Sequence, residues 1–332
     1  MSDERKEFED GEAALNRRDF KTALRLLLPL AENGDPASQR VVGEIYIRGF
    51  GVEPDGAEAA KWWIRAVSTW RSLADQGNAE AQCELGSMFL RGFGLPEDDT
   101  EAFNWFYKAA IQGYAPAQYL LGEMCGFGKN IGRPYYNPLE ALKWIRKAAD
   151  QGFPKAQGKL GWMYSYGAMG VREDKREAVK WLRKAADQGD PYALLNLGAM
   201  YERGEGGLNQ DYAEAMKWYR KANAYNAIGD MYMHGKGVPQ DYTEAMNWYR
   251  KLADQEFPPA LRTIGLMYLR GQGVSRDLVQ AYKWISLAVD KEFDPDFPAL
   301  ANELAPIAAE MSPEQIAEAK RLAAAWKSTR SH

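Results

Sequence analysis

Histidine and cysteine are nearly missing: the chain has two of each in 332 residues. His234 and His332 stand far from Cys83 and Cys125, so no metal-ligand spacing and no Cys/His nucleophile pair is present. No metal or other cofactor is expected. The two cysteines fall at different phases of the sequence pattern, which rules out a repeated disulfide staple and suits a reducing compartment. No apolar run is long enough to span a bilayer, and the first ten residues have no apolar core of a secretory signal. A soluble, cytoplasmic chain without membrane insertion is the expectation. A surplus of basic charge is also absent. The net charge is −4 with a pI near 5.5, which lacks the electrostatic footprint of a nucleic-acid binder.

What the chain has instead is repetition. Ala-x-x-Trp recurs at Ala59/Trp62, Ala102/Trp105, Ala141/Trp144, Ala178/Trp181, Ala215/Trp218, Ala245/Trp248 and Ala281/Trp284. Ala178, Trp181 and Ala185 step by three and four, so they share one face of a helix, and that face is the buried one. A preceding helix is marked by an internal glycine: Gly43, Gly86, Gly122, Gly161, Gly198, Gly229 and Gly265. Glycine inside a helix costs on the order of 1 kcal/mol against alanine. Close approach of a neighbouring helix, with the repeat Trp ring over the missing side chain, is the expected compensation. A second glycine set (Gly49/Gly51, Gly92/Gly94, Gly126/Gly128, Gly204/Gly206, Gly235/Gly237, Gly271/Gly273, with Gly167/Gly170 stretched) follows each first helix and reads as left-handed C-caps. A phosphate loop would have to follow a strand, and these follow helices.

Two spacings depart from the template. Trp62 to Gly86 exceeds the usual interval by seven residues, close to two helical turns, so residues 66–72 are expected to lengthen one helix with its buried face in register. Trp218 to Gly229 falls short by six and is expected to remove the usual turn and distort the stacking. Residues 1–34 read as an N-terminal cap, 35–294 as seven repeats and 295–332 as a C-terminal cap. Ser312-Pro313-Glu314-Gln315 forms a capping box that starts a helix to about Trp326.

The pattern Leu-Gly-x-x-Tyr-x-x-Gly-x-Gly-Val followed by Asp-x-x-x-Ala-x-x-Trp-x-x-x-Ala-Ala-x-x-Gly resembles the Sel-one-like repeats, a branch of the tetratricopeptide superfamily. The sixth copy reads Ile228-Gly229-Asp-Met-Tyr232-Met-His-Gly235-Lys-Gly237-Val238, with Asp241 and Ala245-x-x-Trp248 after it. The resemblance covers roughly 35–292, and the C-terminal Met311-Ser-Pro-Glu-Gln-Ile segment is similar to the last helix of bacterial members. It implies an all-α, right-handed α/α superhelical solenoid acting as a scaffold or adaptor for protein partners, and not an enzyme. Cys125 and Phe89 depart from it where Tyr is usual, as does Val42 where Leu is.

Carrying helical phase along the first helices sorts residues onto the face that the resemblance assigns to a concave groove. Its middle is aromatic and its ends carry arginine. Tyr, Trp and Arg dominate protein interfaces, so a partner peptide or loop is expected on Tyr119, Phe127, Trp162 and Tyr166, steered by Arg48, Arg91, Arg203 and Arg270. Cys83 and Leu195 fall on the same face by phase. An immunity protein that wraps a toxin fits the same features, a hydrolase hidden in the solenoid less well, and the capping helices favour a monomer over end-to-end assembly.

Overall fold

The computed structural model describes residues 3–126, 135–290 and 301–328, and those residues fold as helices and connecting turns. Two compact units emerge, Met1–Glu173 and Asp174–His332. In the first, α1 (Asp3–Asn16) and α2 (Phe20–Glu32) precede α3 (Pro36–Arg48), α4 (Gly56–Asp75), α5 (Ala79–Arg91), α6 (Asp99–Ile111), α7 (Ala115–Gly126), α8 (Pro138–Asp150) and α9 (Pro154–Tyr166). The second holds α10 (Lys175–Asp187), α11 (Pro191–Arg203), α12 (Tyr212–Lys221), α13 (Tyr225–His234), α14 (Tyr242–Ala253), α15 (Pro258–Arg270), α16 (Leu278–Val289), α17 (Ala301–Ala309) and α18 (Pro313–Ser328). Each repeat contributes a first (A) helix and a second (B) helix, which makes the chain an all-helical repeat solenoid. No helix among the described residues is long and apolar enough to cross a membrane.

Every B helix of the repeats starts the same way. Asp55, Asp98, Asn137, Asp174, Asp211, Asp241 and Asp277 take extended backbone, and each side-chain oxygen accepts a hydrogen bond from an N–H two or three residues on. This satisfies donors that a helix start leaves open. Six A helices end on left-handed glycines as expected, among them Gly49 (φ 66°), Gly204 (φ 67°) and Gly271 (φ 66°), whereas Gly126 is the last residue of α7 itself and keeps helical backbone, and Gly128 lies outside the described residues. The capping box forms in both directions, Ser312 N–H to Gln315 Oε1 at 2.9 Å and Gln315 N–H to Ser312 Oγ at 3.3 Å, and its helix runs on to Ser328.

At five helical glycines the partner differs from expectation. The residue after the repeat tryptophan covers the glycine, not the tryptophan: Phe106 over Gly86, Ile145 over Gly122, Tyr219 over Gly198, Tyr249 over Gly229 and Ile285 over Gly265. A methyl group on these glycines would lie 2.5 to 3.0 Å from those side chains, which is why alanine does not fit. The tryptophan sits one residue round the helix, about 100° away, where the side chain three residues later covers its ring. Arg65 lies over Trp62 at 4.6 Å, Lys108 over Trp105 at 3.7 Å, Lys184 over Trp181 at 4.2 Å and Lys251 over Trp248 at 3.7 Å. These cation–π contacts shield one face of each indole while the charged group keeps its access to water.

Both spacing irregularities resolve locally. Helix α4 has 20 residues where α6 and α8 have 13, and Trp63, Ala66, Val67 and Trp70 remain buried along it, so two turns are added in register. The six-residue deficit is divided, because α12 and α13 have 10 residues each and Asn223, at φ 52°, turns the chain between them.

The first unit also carries a device invisible in the repeat pattern. Gln39, Gln82, Gln118 and Gln157 are buried and donate to the carbonyls of Ala31, Ala74, Ala110 and Ala149 at 3.0 to 3.2 Å. Each thus closes the open C-terminus of the preceding helix. Leu194 and Leu261 take the equivalent place in the second unit and are buried without such a bond.

Candidate interaction face

The A helices of the first unit carry two distinct patches. On α3 and α5, Arg40 pairs with Glu44 and with Glu84, both at 3.4 Å, and Arg91 reaches Glu44 at 3.3 Å. Burial pushes the Glu84 carboxyl up, and Arg40 pulls it back only in part. Cys83, placed on this face by helical phase, is in fact 3% exposed within the core, and burial drives its thiol far above the ordinary value. The wheel misplaces it because the adjoining repeat covers that flank of α5.

The second patch lies on α7 and α9 and is aromatic. Tyr119 packs against Phe153 with ring centroids 5.7 Å apart. One turn on, Glu123 pairs with Lys159 at 3.0 Å, and the Lys159 ammonium stands 4.7 Å from the Trp162 ring. Trp162 in turn tilts against Tyr166 at 5.9 Å. Lys159, Trp162 and Tyr166 step by three and four along α9 and so share one face. Tyr166 is 60% exposed, while Trp162 and Tyr119 are half-buried.

Sequence reasoning therefore places Tyr119, Trp162 and Tyr166 together, and Phe127 lies outside the described residues. It missed Phe153. The signal was available, because the N-cap position filled by Asp35, Asn78 and Asp190 in other A helices is given to an aromatic that makes no side-chain cap bond. A cap worth about 1 kcal/mol is forgone there.

The proposed arginines do not form one set. Arg48 is exposed, with its guanidinium 5.7 Å from the Phe50 ring. Arg91 is held by Glu44, as above, and stands 5.7 Å from the Phe93 ring. Arg203 and Arg270 belong to the second unit, where Arg203 lies 3.4 Å from Glu205 and Arg270 is exposed. The A face of that unit is polar. Tyr219 and Lys236 both donate to Glu202, at 2.8 and 2.7 Å, Tyr249 donates to Asp230 at 2.6 Å, and Arg262 pairs with Glu303 of α17. Leu195 is 42% exposed, as its phase indicated.

Burial pushes the Glu202 carboxyl up, but hydrogen bonds from Lys236 and Tyr219 outweigh it and hold the group below its ordinary value of 4.5. The folded chain thus releases this proton more readily than the unfolded one. The resulting stability is present above pH 4.5 and is lost as pH falls through the lower folded value. In thermal unfolding from pH 7 to pH 3, Glu202→Gln is expected to be less stable than wild type at neutral pH, the gap closing in acid. A gap that does not change with pH removes the assignment.

Comparison with known proteins follows the repeats. A family model described as Sel1 repeat matches residues 36–68, 79–114, 115–153, 154–190, 191–224, 222–257 and 258–292. Among solved structures the chain is similar to c5321, a protective antigen present in uropathogenic Escherichia coli strains and displaying an SLR fold. Identity is 29%, 91% of this chain and 70% of that one are covered, and the TM-score is 0.68. It is also similar to a Sel1 repeat protein from Oxalobacter formigenes, with 32% identity, 92% and 88% covered and a TM-score of 0.60. A structure of the human IFIT1 dimer with PPP-AAAA shares the fold alone, at 16% identity, 98% and 74% covered and a TM-score of 0.51. No curated protein matches.

Proposed function

The chain belongs to the Sel1 repeat family, whose repeats mediate protein–protein interactions, and from that premise we propose that it is a non-enzymatic scaffold that holds a partner polypeptide on the aromatic strip of α7 and α9. The observation that carries this is Tyr166, 60% exposed beside a half-buried Trp162. Rigid aromatic side chains lose little entropy on binding and bury large areas, which makes them the usual energetic centre of an interface. Tyr119 on α7 and Phe153 at the start of α9 extend the strip, and the Glu123–Lys159 pair gives it a polar rim.

In this reading Arg48, exposed on α3, supplies long-range attraction for an acidic partner, while Arg91, held by Glu44, acts only through local contacts; Arg203 and Arg270 belong to the second unit and are not counted with this strip. The test is selection of peptides from a random display library on the full chain, followed by titration of the selected peptides against variants. Trp162→Ala is expected to weaken binding by at least about tenfold, and Tyr166→Ala, which perturbs the fold less, to act in the same direction. If Trp162→Ala lowers the melting temperature and leaves peptide affinity unchanged, the strip is internal packing and the proposal fails.

A further inference from the structure

One polar contact recurs where a B helix meets the next A helix. Arg146 on α8 donates to the Tyr164 hydroxyl on α9 at 2.5 Å, Arg183 on α10 to Tyr201 on α11 at 2.8 Å, and Arg250 on α14 to Tyr268 on α15 at 3.2 Å. In each pair the arginine stands two residues after the repeat tryptophan and 18 before the tyrosine. The junction between α4 and α5 keeps the same register by another route. The two added turns of α4 bring Arg71 to that spacing, with its guanidinium 5.9 Å from the Phe89 ring.

The junction between α6 and α7 departs at both positions at once: the arginine place is Tyr107 and the tyrosine place is Cys125. Both residues line a cavity of about 320 Å³. Its walls are rings, with Phe103 stacked on Tyr135 at 4.2 Å and Tyr107 edge-on to Trp144 at 6.2 Å. Among the described residues that line it, Glu140 is the one that carries a charge. The mouth reaches solvent, since Tyr107 is 47% exposed.

We propose that this cavity receives an arginine side chain of a partner protein, which supplies from outside the guanidinium that other junctions take from their own chain. Three features carry the inference. The guanidinium place is filled at four junctions and vacated at this one, where a smaller residue has also replaced its partner. Aromatic faces attract a guanidinium, which stacks on them as an ammonium does not. The Glu140 carboxylate can accept two of its N–H groups in parallel.

Glu140 now pairs with Lys143 at 3.0 Å, but the same exposed pair three residues apart occurs at Glu58/Lys61, Glu177/Lys180 and Glu214/Lys217. It is a standing feature of the B helices, and pairs of this kind contribute little. Lys147 already stands over the Trp144 ring at 4.6 Å, so the incoming cation is expected on Tyr107 and Phe103. The site lies on the B-helix side of the first unit and does not depend on the aromatic strip of α7 and α9.

The experiment is ligand-observed NMR titration of the full chain with acetyl-Gly-Arg-Gly-amide, beside the citrulline and leucine peptides of the same frame. The arginine peptide is expected to saturate and to bind at least about fivefold more tightly than either of the others, and Glu140→Gln to bring it down to the level of citrulline. Tyr107→Arg/Cys125→Tyr rebuilds the internal pair, and is expected to abolish binding and raise the melting temperature by a few degrees. Should that double variant not fold, Glu140→Gln carries the test. Equal binding of the leucine and arginine peptides, retention in the double variant, or no saturation by about 10 mM, the range of the weakest specific contacts, overturns the proposal.

Discussion

Gly273→Ala is expected to destabilise the chain by about 2 to 4 kcal/mol, the sum of a left-handed backbone penalty of about 1–2 kcal/mol and an overpacking cost of similar size. Gly273 sits at φ 71°, and an added Cβ would lie 2.6 Å from the Tyr242 carbonyl carbon, 2.7 Å from its oxygen and 2.8 Å from the Thr243 nitrogen. All three are backbone atoms at the start of α14, so no rotamer change relieves the contact. Gly94 meets the backbone of Trp63 and Ile64 in the same way, at 2.7 to 2.9 Å. At Gly94, Gly206, Gly237 and Gly273 the second glycine of the pair therefore serves close approach to the preceding repeat, while the first serves the helix C-cap. Gly152→Ala is the control, because Gly152 has φ 89° and nothing within 4 Å of the added atom. It is expected to cost only the conformational term. Urea unfolding of both variants decides the matter, and equal losses would show that crowding plays no part.

The second large effect is expected at Phe106, which is fully buried and covers Gly86. Phe106→Ala should cost about 3–5 kcal/mol, the usual range for emptying a phenylalanine site in a close-packed core. The informative variant is the double one. Gly86→Ala alone places a methyl 2.9 Å from the Phe106 ring and should destabilise, but with the ring gone the same methyl fills part of the void. Gly86→Ala/Phe106→Ala is therefore expected to be more stable than Phe106→Ala, a coupling that additive sites do not show. Strictly additive losses would mean that the two residues do not share one space.

That pair also marks where sequence reading reached its limit. Periodicity identified the helical glycine and located the opposing helix, but it chose the tryptophan as the covering residue when the next position does the covering. Phase along a helix is known from the sequence, whereas the rotation of one helix against another is set by side-chain packing and is not. Cys83 was misassigned for the same reason. Its phase on α5 is right, yet the flank it occupies is buried against a neighbouring repeat. Tyr119 on α7 and Trp162 and Tyr166 on α9 occupy different repeat positions whose helical phases fall on one flank, a relation that the sequence does carry.

Local order was written in the chain: the helix pairs, their Asp and Asn starts, their glycine ends, the lengthened α4 and the capping box at Ser312. Each depends on residues within a few positions of one another, where backbone sterics and short-range hydrogen bonds act before any tertiary contact forms. Packing between helices decided the rest. It set which side chain covers a helical glycine, closed helix ends with buried glutamines in one unit where the other buries leucines that make no such bond, and brought Tyr107 and Cys125 to one cavity at the α6–α7 junction. Those outcomes turn on distances between residues eight to forty positions apart, which no window on the sequence fixes until the repeats have stacked.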